Sequence, residues 1–285
     1  MVKNPELAKS VLTQSAWKEA ITQLKPSDIN TLREILDTSK KIHDTVSPVA
    51  SATSFVVDKV DWLKSLCVGV GPVRTCAWDV VKVSYPGITI LEDELRSLNT
   101  ELNEWVDSSK KVSTTLPEAI SGLEKLKAGG EMDLKLKTSI QTSISSFEEL
   151  KTKTDEIIIT LSDAINTLSD AERSIYSAAE SASGTPLVGS IIADGISALG
   201  DMVGNLNDEV KSLRDDARSF SRSLSEQSSK LSNIMNAANE RTDELYTSWN
   251  LRRNALAMVY STLGGIIAVI LAIAVVIYRR RGKSG

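Results

Sequence analysis

Aromatic residues are scarce in this chain: three Phe, five Tyr and five Trp among 285 residues. A thick globular core therefore has few large side chains to draw on. From about residue 88 to residue 250 the sequence is dominated by Ser, Thr, Lys, Glu, Asp and Leu. Such a composition suits long, thin, water-exposed helices that bury narrow apolar stripes. Histidine occurs once, as His43, beside Asp44 in a Lys-rich stretch where a solvated side chain is expected. With only two cysteines besides, no zinc pattern can be assembled. There is no P-loop, no GxSxG and no HExxH. The acidic pairs Glu92/Asp93/Glu94 and Glu148/Glu149 fall on the solvent faces of helices, which leaves paired-carboxylate catalysis without support. The expectation is a protein that is not an enzyme, with no catalytic residue, cofactor, metal or small-molecule substrate. A net charge of −4, mixed in sign, gives no basic footprint and excludes nucleic acid as a partner.

What is present is most distinctive near the C-terminus. From Met258 to Tyr278 the chain reads MVYSTLGGIIAVILAIAVVIY without a charge, and RRRGK follows. A helix of that length covers about 30 Å, the thickness of a bilayer's hydrocarbon layer. Tyr260 and Tyr278 stand at its two ends and Trp249 a little before it, as interfacial aromatics do. A single transmembrane helix is expected over 258–278, with a basic tail over 279–285. Gly264, Ala268 and Ala272 recur every four residues within it, a spacing that lets two helices approach closely. Orientation is less determined. The flanking charges favour a cytoplasmic tail. The first residues, MVKNPELAKSVLTQSAWKEA, contain no apolar signal segment, and there is no Asn-x-Ser/Thr sequon. These two features favour a tail-anchored protein with a cytosolic body, an extracytoplasmic body remaining the alternative.

Ahead of the anchor the chain divides into segments. Residues 1–87 read as short helices: one stopping at Pro26, one from Ser27 to Pro48, and one over SATSFVVDKVDWLKSL. Cys67 and Cys76 bracket CVGVGPVRTC, where a local disulfide is one option and two buried thiols the other. The period of AWDVVKVSYPGI is ambiguous. Residues 88–183 read as a long helical hairpin. Its first arm carries Leu91, Leu95, Leu98, Leu102 and Trp105, with Pro117 at the start of a fresh helix. Gly129-Gly130 makes the turn. The second arm carries Ile140, Ile144, Phe147, Thr154, Ile158, Leu161, Ile165, Leu168 and Ile175. Residues 184–204 are small, apolar and rich in glycine. They read as a packed helix joint or, more sharply, as a sheltered segment able to enter a membrane.

Over residues 205–253 a further helix carries an unbroken alternation of three- and four-residue steps. Its apolar positions begin at Val203 and Leu206 and continue through Val210, Leu213, Ala217, Phe220, Leu224, Gln227, Leu231, Ile234, Ala238, Arg241 and Leu245. That is the heptad seam of a coiled coil. Gln227 is its central polar residue, a device that fixes register and partner number. Here residues 203–278 resemble the SNARE membrane-fusion proteins of the syntaxin (Q) class. In those a heptad helix with a central glutamine layer leads directly into a C-terminal anchor. The resemblance implies that Gln227 occupies that layer and that partner helices join along the seam. Arg241, Ser248 and Arg252 depart from it, standing where apolar layers should continue. The pattern of long helices around the apolar segment 186–204 is also similar to α-helical pore-forming toxins of the haemolysin E and haemolysin BL kind, which would imply a segment that inserts on assembly.

The fold class expected is thus all-α: an elongated helical bundle or coiled coil with a single C-terminal transmembrane helix. The function expected is helix-driven assembly, tethering or fusion at a membrane surface. The partners expected are the lipid bilayer and either further copies or other helices along the seam. Membrane perturbation through 186–204 is the alternative.

Overall fold

A computed structural model describes residues 4–68, 74–84, 86–184 and 189–281, with the side chains of the last helix as far as residue 262. The helices are α1 (Pro5–Ala20), α2 (Pro26–Ser65), α3 (Ala77–Ser84), α4 (Ile88–Lys127), α5 (Leu134–Ser183) and α6 (Gly189–Arg281). A 3₁₀ turn, Ile21–Gln23, joins α1 to α2. Two-residue strands β1 (Cys67–Val68) and β2 (Thr75–Cys76) pair antiparallel between α2 and α3.

Four long helices make the body. α2 packs against α4 and α6, and α5 packs against the same two, so the four form a ring. Cross-helix bonds fix their directions. Lys64 reaches Glu92 and Arg33 reaches Glu124, so α2 and α4 are antiparallel. Lys153–Glu104 and Lys135–Glu118 do the same for α4 and α5. Tyr176–Asp201 and Lys137–Asn239 do it for α5 and α6. Asp28–Lys230 at one end, with Trp62 beside Gly195 at the other, closes the ring between α2 and α6. The result is an up-down-up-down bundle, the topology short connections allow.

The local sequence explains where each helix begins and ends. Asn4 caps α1 by accepting from the Glu6 N–H at 2.9 Å. Asp133 caps α5 by accepting from the Leu136 N–H at 2.6 Å. The expected hairpin turn at Gly129-Gly130 is present. Gly129 has φ +92°, and the Gly129 and Gly130 N–H groups donate back to Leu126 O at 3.1 Å and Lys125 O at 2.9 Å. This two-bond closure needs the left-handed residue that glycine supplies.

Two boundaries expected from proline are absent. α2 runs unbroken through Pro48 and α4 through Pro117. Each proline removes one ladder donor, but Val46, Val49 and Thr53 are buried around the first, and Leu116 and Ala119 around the second. Packing on both sides holds each helix together. The ambiguous stretch after Cys76 is helical, as α3.

The described part of the Gly-rich stretch, 189–204, is no joint either. From Gly189 it is the first part of α6, and Ile192, Ile196, Leu199 and Val203 extend the buried stripe backwards without a slip. Residues 185–188 lie outside the described residues. Gly195 and Gly200 serve close approach, not bending. A Cβ at Gly195 would stand 3.3 Å from the Trp62 ring, and one at Gly200 would stand 3.1 Å from the Tyr176 ring.

The expected fold class needs a correction at its C-terminal end. The all-α bundle is as expected, but among the described residues no helix is long and apolar enough to cross a membrane. The described side chains of α6 explain why. Charged residues such as Asp201, Asp208, Lys211, Arg214 and Asp215 recur along it, so one stripe is buried and the rest faces water. The helix continues through Arg281. The side chains from residue 263 onward, including Gly264, Ala268 and Ala272, lie outside the described residues.

Candidate functional site: the end of the last helix

The seam finds its partners within the chain. Val210, Leu213, Phe220, Leu224, Gln227, Leu231 and Ile234 are all buried in the bundle core, where α6 meets α5 and α2. Burying each of these large apolar side chains contributes about 1.5–3 kcal/mol. Leu245 is only half-buried, because by then the ring has ended. Gln227 is 1% exposed and its amide oxygen has no hydrogen-bond partner among the described residues. The seam offered to partner helices on sequence grounds is thus occupied by the protein's own helices.

Past the ring, α1 takes over as cover. Ala16, Trp17, Ala20, Ile21 and Leu24 are buried, and α1 runs antiparallel to α6. Arg241, which breaks the apolar run in sequence, explains itself here. Its guanidinium donates to Glu19 of α1 and to Glu244, each at 3.1 Å. Glu244, and after it Glu19, holds Arg241 protonated above its ordinary range.

Five residues after Arg241 comes a cluster that sequence reading missed as a unit. The Tyr246 and Trp249 rings stack with centroids 5.7 Å apart. Lys9 of α1 lies over the Tyr246 ring at 5.8 Å, and Arg253 lies over the Trp249 ring at 5.0 Å. Such cation–π contacts hold a long cationic side chain near an aromatic face without removing its charge from water. Beyond this collar no described part of the chain covers α6. Every residue from Leu251 to Thr262 is exposed, including Leu251, Leu256, Met258, Val259 and Tyr260. Ser261 and Thr262 donate their hydroxyls back to Met258 O at 2.8 and 2.7 Å, which satisfies them within the helix.

The opposite end of the bundle carries Cys67, Cys76 and Glu92. Cys67 and Cys76 form a disulfide, their Cα atoms 3.9 Å apart, across the β1–β2 pair. The Ala77 N–H donates to Leu66 O at 2.8 Å and continues that closure. His43 is exposed on α2. Glu92 is tied to Lys64 and Arg96, whose hydrogen bonds hold its carboxyl below the usual range against a smaller upward push from burial. Among the described residues, no three His, Cys, Asp or Glu side chains converge as a metal site.

The chain matches no protein-family model, and neither a curated protein nor a solved structure is similar to it.

Proposed function

We propose that this protein is a structural element working at a membrane surface, where its bundle is a rigid rod and the bare end of α6 is the point of attachment. One observation carries the reading. The heptad seam is consumed inside the bundle, whereas Leu251, Leu256, Met258, Val259 and Tyr260 are exposed, with no described part of the chain over them. Five exposed large apolar residues within ten positions of one uncovered helix mark a contact surface. Their position just past a Tyr–Trp–Arg collar suits the boundary of a bilayer, where aromatic rings and long cations collect. The α5 helix alone measures about 75 Å at 1.5 Å per residue, so the bundle holds its disulfide-bearing end far from the attachment point. That is the geometry of a tether or spacer, and assembly between copies would then use surfaces other than the seam.

The alternative, membrane perturbation through 186–204, has less support. Ile192, Ile196, Leu199 and Val203 would have to leave the core, and Trp62 and Tyr176 would lose the glycines they rest on. A vesicle experiment separates the two readings. The full chain, added from detergent that is then removed, should float with lipid vesicles and retain a trapped dye. Dye release abolished by Ile192→Asp in a folded protein would favour the alternative. A chain that remains with no vesicle of any composition would refute attachment.

A further inference from the structure

The collar carries more than an apolar contact. The last acidic residue of the chain is Glu244; from Leu245 to Gly285 there are six basic residues and no acidic one. The preceding 244 residues therefore hold 27 basic against 37 acidic residues, a net charge of −10. Charge is segregated along the rod, and the change of sign falls at the collar. Arg252 and Arg253 are exposed there, and Lys9 is brought to the same place by α1. The acids nearest the collar are Glu6 on α1, and Asp243 and Glu244 on α6. Glu244 is paired with Arg241.

We infer that the collar of Lys9, Tyr246, Trp249, Arg252 and Arg253 recognises the headgroups of an anionic lipid surface. This rests on membrane attachment through α6 and adds a lipid preference to it. The aromatic pair stands at the level where α6 leaves the bundle, with Lys9 and Arg253 over its rings and Arg252 exposed beside it. A negative surface attracts each such cation by an amount that changes binding about fivefold, and the attraction fades within a Debye length. The −10 body would be repelled by the same surface, so the rod should stand off it.

The test compares vesicles of phosphatidylcholine alone with vesicles of equal parts phosphatidylcholine and phosphatidylserine, using the full chain. The expected result is stronger flotation with the anionic vesicles, weakened by salt. The triple variant Lys9→Gln/Arg252→Gln/Arg253→Gln should lose about a hundredfold of that partition, on the order of fivefold per charge removed. The charge-conserving variant Lys9→Arg/Arg252→Lys/Arg253→Lys should keep it. Circular dichroism and thermal midpoint verify that both fold, and the basic residues after Tyr278 are the same in all three proteins. Equal partition onto both vesicle types, or a triple variant that partitions like the wild type, overturns the inference while leaving attachment intact. Loss of partition in the charge-conserving variant also overturns it. Absence of flotation with either vesicle would instead refute attachment itself.

Discussion

Trp105 of α4 donates its indole N–H to the Thr154 hydroxyl of α5 at 2.9 Å, with both side chains buried in the bundle. The same hydroxyl donates to Leu150 O at 2.6 Å, so one threonine closes a two-bond relay between helices. Thr154→Val keeps the shape and removes the acceptor, leaving a buried N–H unpaired. The expected cost is about 1–3 kcal/mol in denaturant unfolding. Thr154→Ser should be much milder, and Trp105→Phe should cancel most of the valine penalty in a double-mutant cycle. Additive effects would show that the bond contributes nothing.

Tyr176 and Asp201 report on the junction of α5 with the first turns of α6. The Tyr176 hydroxyl donates to Asp201 at 2.5 Å. That bond first, then burial and the charges of Asp201 and Glu172, pushes the phenol up to about 12 from 10.0. A folded value above the unfolded one means the contribution is complete below pH 10 and lost as pH rises through about 12. Ultraviolet titration should show one late tyrosine that disappears in Tyr176→Phe and moves toward 10 in Asp201→Asn. A set of tyrosines titrating together in the wild type would contradict the placement.

Asp28 governs the acid side. Burial pushes its carboxyl up, but hydrogen bonds from Lys230 and from the Lys25 N–H, each at 2.8 Å, outweigh this and hold it below 3.8. A depressed folded value means the stabilisation is present above pH 3.8 and disappears as pH falls through the lower folded value. Asp28→Asn should cost about 1–3 kcal/mol at neutral pH. It should also flatten the fall in thermal midpoint below pH 4. An unchanged acid profile would remove Asp28 from the account.

Gln227 separates an internal seam from one made for partners. Its buried, unpaired amide oxygen destabilises the bundle, so Gln227→Leu should raise stability by about 1 kcal/mol or more, read from the denaturant midpoint. A residue needed to set register with partner helices would give loss of assembly instead.

Much of the fold was legible because helix period and turn chemistry are local. The stripes Leu91–Trp105 and Val203–Ala238 are buried as their spacing requires, and Gly129 sits in the left-handed turn that glycine predicts. Where sequence and structure differ, tertiary packing is the cause. Pro48 and Pro117 read as boundaries, yet buried neighbours carry the helix through each. Ile158 reads as part of the α5 stripe, whereas Ile157 fills the core and Ile158 is half-buried beside it. Gly195 and Gly200 read as a flexible joint because sequence cannot show the Trp62 and Tyr176 rings that require them. A heptad seam looks the same whether its partners lie in another molecule or in α2 and α5. The collar was only half visible. Trp249 and the flanking arginines were evident, but Lys9 joins them through a contact spanning most of the chain.

Hydrogen exchange along α6, measured with and without phosphatidylserine-containing vesicles, distinguishes attachment through the bare end of α6 from opening of the bundle. Attachment through α6 should bring new protection that begins at about Tyr246 and extends through Thr262, while amides from Ile192 to Ala238 exchange equally slowly in both conditions. Loss of protection between Ile192 and Ala238 on adding vesicles would contradict it. That result would mean the bundle opens and the seam, not the bare end of α6, engages the membrane.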